Sequence, residues 1–513
     1  MHSKEAGFTS KILVVYAFLL FCVYPFYYEN GYYNIGIAKN NFLSVILYIT
    51  FGVMIIAMGF QIRALNKRNS KMWEWKRTSI TEKILYIYML SIVVAFLFSP
   101  FKIDVLQGTD GWFLGTVPLL LMTTMSFFVI HMWKEHHWLR YGVMIVSSII
   151  FGLGICNRFS IYPITIEPSN PSFISTLGNI NWFCGYMSVI APIGISLFIL
   201  QEEHEYKKTI TKIMYALYVW IAFVAGLCQG SESVILWNAA LFITLLWISV
   251  KNIYCIRRWL FSVFLWGMAG QFIKILIFLF PDNYNYDVSF IVESNFTLFV
   301  AVAALVFFFG AGYMEKEKKE FPAKVIRGVR IGIVLLIAIS LISWLSLFIY
   351  NSTVGIDALQ GNKLMTFGDS WGNGRGIILK TSFWIYSEMS FWQKIFGVGA
   401  DGFYFFAYSI PEIKNYLVNY YGESILTNAH CEIFTNIINL GIFGTLAYLG
   451  VLFTFIFRCM NKGRNNSLLY IPAVCVICYL ANNLVSFAQI LNIPYLFLII
   501  GIGEFYLQKE KVL

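Results

Sequence analysis

Apolar runs set the plan of this chain. Nearly uncharged stretches recur at 11–28, 42–62, 84–99, 113–130, 141–156, 181–200, 214–228, 234–250, 259–280, 296–312, 331–350, 431–457, 467–486 and 489–506. Each approaches the roughly 20 apolar residues that cross a bilayer as a helix. The pattern predicts an all-α polytopic membrane protein with about 12–14 transmembrane helices. One polar interval is far longer than the other joints and divides the chain: an N-terminal bundle (1–350), a long loop region (351–430) and C-terminal helices (431–513). Structureless connections of that length are uncommon without a function. Within the loop, Gly376 to Phe396 reads as one amphipathic helix, with Ile377, Ile378, Trp384, Ile385, Phe391, Trp392 and Ile395 set against Lys380, Glu388, Gln393 and Lys394. It lies either on a leaflet or against the bundle. Met1 to Asn30 carries Lys4 and Lys11 ahead of an apolar run but no small-residue cleavage site, so it is expected to stay as the first helix.

Composition sharpens the membrane reading. Hydrophobic residues make up 58% of the 513 residues, charged residues 12%, and mean hydropathy is +0.69. A soluble domain carries about 25% charged residues. The net charge of +10 is not that of a nucleic-acid binder; no motif interleaves basic and aromatic residues. The Lys and Arg instead fall in joints 63–83, 201–213, 251–258, 313–330 and 458–466, all on one side of the map. By the positive-inside bias that side, with both termini, is cytoplasmic, and the 351–430 loop is extracytoplasmic. Nine Cys show no zinc or disulfide spacing, and Cys475-x-x-Cys478 lies within an apolar run.

Few residues on the extracytoplasmic side carry chemistry. Of six His, only His430 maps there, where the long loop re-enters the membrane. It serves either as a structural interface residue or as a base, the neutral imidazole being suited to take a proton from a sugar hydroxyl. Arg375, in Trp371-Gly372-Asn373-Gly374-Arg375-Gly376, and Arg158 run against the positive-inside bias. Each either grips a diphosphate bidentately or pairs with solvent and headgroups. Lys274 falls inside an apolar run, either as a functional charge or as one snorkelling to the surface. Gly397-Val398-Gly399-Ala400-Asp401-Gly402 matches GxGxxG but lacks a βαβ setting, so it predicts a tight turn and no dinucleotide site. No Walker motif, HExxH, GxSxG or Asp-x-Asp pair occurs.

Three stretches together resemble the O-antigen ligase and O-antigen polymerase family of bacterial lipid-linked glycan transferases. Thr427-Asn428-Ala429-His430-Cys431-Glu432, followed by an apolar helix and Gly441-Ile442-Phe443-Gly444, resembles its His-containing signature. Ser175-Thr176-Leu177-Gly178-Asn179-Ile180-Asn181 is similar to its Gly-Asn-Pro-Asn segment, with Ile180 for Pro. Arg375 through Trp384 to Gly397-Val398-Gly399 is similar to the Arg–Trp–GlyxGly run before the His. The resemblance covers roughly residues 150–460. It implies an integral membrane glycosyltransferase (GT-C-like) fold. It also implies transfer of a glycan from an undecaprenyl-diphosphate carrier to a saccharide, lipid or protein acceptor, with inversion and without metal or other cofactor. His430 would be catalytic, and Arg375 would hold the diphosphate with Arg158. Lys274, Asn179, Asn181 and Asn428 would support them. One departure stands out: where the family often has Ser-Arg at a helix start, this chain has Gly230-Ser231-Glu232-Ser233, and Cys431 replaces a common Asn. The alternative function is a transporter or flippase of the same lipid-linked glycans. Against it, matched broken helices in two halves are not evident. A third is a non-catalytic membrane assembly component.

Overall fold

The computed structural model describes residues 2–66, 78–134, 136–167, 170, 172–201, 209–285, 289–317, 321–356 and 365–509. Among them the only sheet is a two-residue hairpin, Phe173–Ile174 against Gly178–Asn179; the rest of the regular structure is helical. Eleven helices are long and apolar enough to cross a membrane, from Gly7–Phe26 to Glu432–Lys462. Each apolar run of the sequence falls on a helix, but three are shorter than a full span: Thr116–Met132, Ser467–Asn483 and the 17-residue Ile493–Lys509. A 17-residue helix reaches about 25 Å, short of the roughly 30 Å hydrocarbon layer. Protein neighbours rather than lipid enclose most of these three, so their length need not match the bilayer. At the centre stands Ile180–Leu200, buried along nearly its whole length and packed on Thr209–Leu227, Glu232–Ser249 and Tyr470–Asn483.

The first span does not end as a clean helix. After Phe18 it loosens through Leu19–Val23 and tightens at Tyr24–Phe26, where Pro25 ends it. The carbonyls freed at Tyr24 and Pro25 each accept, at 2.9 Å, from the fully buried Lys39 ammonium of the next helix. An unpaired cation in such a place would be expensive; these carbonyls satisfy it.

Basic joints gather at one end of the bundle. There Arg258 donates to the Phe198 and Gln201 carbonyls, Arg330 to the Trp247 carbonyl, and Ser467 to the Leu200 carbonyl. Arg458 pairs with buried Glu504, and His131 with buried Glu82. The basic residues of 67–77, together with Lys207, Lys208, Lys318 and Lys319, lie outside the described residues.

The long loop folds on a small core of its own. Ile377, Ile385, Val398, Phe403, Ile413 and Leu417 pack together with Ala429 and Ile438. The single amphipathic helix expected over Gly376–Phe396 is two helices. One runs Trp371–Glu388 and is regular only from Arg375; the other is Phe391–Phe396. Between them, Ser390 and Gln393 form a capping box that starts a new helix. The first helix buries Ile377, Ile378 and Ile385 in the loop core, whereas Phe391 and Trp392 of the second are exposed at 68% and 56%.

Candidate functional site

Two interlocked glycine turns build the floor of the site. Helix Glu432–Lys462 breaks at Gly441 (φ 68°), and the Gly397 turn (φ 85°) nests into the break. A Cβ added at Gly397 would lie 2.2 Å from the Asn439 carbonyl, and one at Gly441 would lie 2.2 Å from the Ile395 carbonyl. No side chain fits at either position. Val398 and Gly399 amides donate to the Ile438 and Asn439 carbonyls at 3.0 and 2.9 Å, and the Phe403 amide donates to Asn439 Oδ1 at 2.8 Å. The GxGxxG match is therefore a backbone lock. Asp401 extends that lock to the 101–115 joint: its buried Oδ2 accepts from the Thr109 and Leu114 amides at 2.7 and 3.3 Å. Burial pushes the Asp401 carboxyl up to about 7, partly offset by those two amides.

His430 sits just ahead of this helix in a left-handed backbone conformation (φ 47°), uncommon for a side-chain-bearing residue. Asn428 shapes the turn: its Oδ1 accepts from the His430 amide at 2.9 Å. The Ala429 amide donates to Thr435 Oγ1 at 3.1 Å. The half-buried imidazole meets the Phe487 ring edge to face, centroids 5.1 Å apart. Burial, and then the charge of Arg375, lower its pKa to about 4, so the ring is neutral at pH 7 and its lone pair can accept a proton.

Arg375 stands on the same short segment as His430. Its Nε donates to the Val485 carbonyl at 3.1 Å, two residues from the Phe487 that holds His430. Nη1 donates to the Gly372 carbonyl and to Glu232 Oε2, each at 2.8 Å. Positive φ at Gly372, Asn373 and Gly374 turns the chain so that this is possible, and Asn373 Nδ2 reaches Glu232 Oε1 at 3.3 Å. Glu232, the departure from the family pattern, is thus the counter-ion of Arg375, with both side chains less than a third exposed. Among the described residues Nη2 has no hydrogen-bond partner.

The remaining expected residues divide. Asn428 belongs to the His430 turn. Asn179 caps the Ile180–Leu200 helix, its Oδ1 accepting from the Asn181 amide at 2.8 Å, and the Asn181 carbonyl accepts from Gln489 at 3.1 Å. Arg158 is fully enclosed rather than presented to a ligand. Its Nε donates to Gln229 at 2.9 Å and its Nη1 to Asn285 at 3.5 Å, so it braces the chain just before the Gly230–Ser233 turn. Lys274 donates to the Glu293 carbonyl at 3.0 Å and to Asn295 at 3.1 Å; it closes the end of the short Phe290–Glu293 helix and makes no contact with the His430 turn.

Sequence reasoning missed a second carboxylate beside His430. Buried Glu432 accepts from the Tyr448 and Tyr479 hydroxyls and from Asn483 Nδ2, at 2.8, 2.5 and 3.0 Å. A charged residue at the start of an apolar run was the available signal. Asp401, Asn428, Glu432, Asn436, Asn439 and Phe487 are among the residues lining a cavity of about 40 Å³, large enough for water. The site therefore combines a neutral imidazole and a guanidinium held by one carboxylate, with Asn428 and Phe487 shared between the His430 turn and a small cavity of mixed polar and apolar lining. No protein-family model matches the chain, and no curated protein matches it; the family resemblance rests on the residues named for it.

Proposed function

We propose that the chain transfers a glycan from an undecaprenyl-diphosphate carrier to an acceptor hydroxyl at the outer face of a bacterial cytoplasmic membrane, as O-antigen ligases and polymerases do. Both termini would then face the cytoplasm, and the fold would be of the integral membrane glycosyltransferase class. The acceptor is a saccharide, lipid or protein hydroxyl. The observation that carries this reading is that His430 and Arg375 rest on one segment, Val485 to Phe487, the first as a neutral ring and the second as a cation.

The chemistry follows from those two groups. The acceptor oxygen attacks the sugar carbon from the face opposite the diphosphate and passes its proton to a ring nitrogen of His430. The bond from that carbon to the diphosphate breaks, its electron pair going to the diphosphate oxygen, where Arg375 offsets the growing charge. The carrier is already a good leaving group, so neither a nucleotide nor a metal is required. A pKa of about 4 makes His430 by itself a weak base; an arriving dianionic headgroup offsets Arg375 and raises it.

The test is release of undecaprenyl diphosphate from a lipid-linked glycan by the purified chain in lipid nanodiscs, with acceptor added. Wild type releases it and His430→Ala, inserted normally, does not. Wild-type release by His430→Ala would remove the assignment, and lipid movement without cleavage would favour a flippase.

A further inference from the structure

The basic end of the bundle holds a cavity of about 270 Å³, and none of its lining residues belongs to the His430 site. It lies where the first span meets His137–Arg158, Ile180–Leu200, Tyr470–Asn483 and Ile493–Lys509. Three of these elements, with the residues just ahead of them, line it from top to bottom. His136 to Val143, Leu468 to Cys475 and Tyr506 to Ile499 each descend about two helical turns, or roughly 10 Å. That is about two thirds of the ~15 Å of hydrocarbon in one leaflet.

The lining changes character along that axis. Phe21, Val143, Leu197, Cys475 and Ile499 are apolar and buried. His136 and Arg140 are half-buried and Asn466 is exposed, so the polar side chains gather at the mouth. No carboxylate is among the described residues that line it. The 131–140 stretch that supplies this mouth carries His131, Lys134, His136, His137 and Arg140 against a single acid, Glu135. The neighbouring 458–466 joint carries Arg458, Lys462 and Arg464 and no acid. Arg140 Nη2 contacts His137 Nδ1 one turn back on the same helix, which sets a guanidinium beside an imidazole. Trp138 and Tyr141 next to them are exposed, and such rings favour the headgroup level.

We propose that this cavity binds an anionic phospholipid of the adjacent leaflet, with the phosphate at Arg140 and His136 and the upper part of one acyl chain packed down to Phe21. The apolar depth offers water too few partners. A peptide there would leave its amides unpaired, and a sugar its hydroxyls. A hydrocarbon chain meets neither cost, and the cationic mouth above it suits an anion. Basic pockets between membrane helices hold anionic lipid headgroups for these reasons. The site stands at the opposite end of the bundle from His430 and does not depend on the reaction proposed there.

Native mass spectrometry of the full chain, released from detergent micelles, counts retained lipid directly. Dioleoyl phosphatidylglycerol and dioleoyl phosphatidylcholine are supplied in equal amounts; they share acyl chains and differ in headgroup charge. The wild type should retain phosphatidylglycerol in preference by about tenfold. Arg140→Gln should cut that preference to about twofold or less; the side chain is half-buried at the mouth, so its loss opens no hole in the core. Val143→Phe, which fills the depth, should lower retention of both lipids. Glycerol 3-phosphate, the anion without acyl chains, should not displace the bound lipid at millimolar concentration. Equal retention of the two lipids by the wild type, an undiminished preference in Arg140→Gln, or displacement by glycerol 3-phosphate would each overturn the site. If Val143→Phe fails to fold, the Arg140→Gln comparison still decides.

Discussion

The two ends of the bundle hold buried carboxylates in opposite ways. At the basic end, Glu504 is paired with Arg458 and accepts from Ser79, and Glu82 is paired with His131 and accepts from Gln508. At the His430 end, Glu432 is held by two tyrosine hydroxyls and an amide, and Asp401 by two backbone amides. Neutral donors fix these carboxylates and consume no cation. Arg375 is instead tied to a single, partly exposed carboxylate, Glu232, which the donor diphosphate would replace in the proposed reaction. Charge at the basic end is spent on holding helices together; charge at the other end is kept exchangeable.

Substitutions sharpen this contrast. His430→Ala should have the largest effect, lowering transfer by about 10²–10⁴-fold, the usual worth of a positioned base, with insertion unchanged. Arg458→Ala should act on the other side of the comparison. It strands the enclosed Glu504 carboxylate and should cost about 3–5 kcal/mol of stability in a detergent denaturation series, with the specific activity of the folded fraction intact. Equal losses of activity and stability in both variants would erase the distinction. Arg375→Ala should lower transfer by about 10²–10³-fold and raise the His430 pKa, read by histidine NMR, because the Arg375 charge helps to depress it. Glu232→Gln should have a smaller effect of opposite sign: it frees Arg375 and should tighten diphosphate binding by no more than about fivefold, as expected for a partly exposed pair.

Acid provides a further handle on the His430 end. The His430 pKa drops from 6.5 unfolded to about 4 folded. Between those values the unfolded chain binds more protons there, so stability falls as pH drops through that window. His430→Gln should flatten this slope; an unchanged slope would mean that other groups set it.

Much of the fold was legible because membrane burial writes itself into composition. Each apolar run became a helix, and described basic residues of the 251–258, 313–330 and 458–466 joints, Arg258, Arg330 and Arg458, lie at one end. The sequence marked His430 and Asn428 as neighbours in one motif, but that Asn428 shapes the turn at His430 emerges only from the fold. The pairing of Arg375 with Glu232 was not, because the two are joined only by tertiary folding and periodicity says nothing about such contacts. The break at Ser390 could have been read from Ser-x-x-Gln, but the continuous apolar stripe from Gly376 to Phe396 outweighed it. Gly441 gave no warning in a run that otherwise reads as unbroken helix; its meaning emerges only against Gly397, where backbone meets backbone. Arg158 looked like an exposed exception to the charge bias and is instead enclosed by Gln229 and Asn285.

The central claim is that His430 and Arg375 act in one step on one substrate. A double-mutant cycle on undecaprenyl diphosphate release measures this directly, with His430→Ala, Arg375→Ala and the double variant compared with wild type. Groups that work as a unit are strongly non-additive, so the double variant should be little worse than His430→Ala alone. Losses that multiply, or a double variant that still releases the carrier at the wild-type rate, would contradict the account.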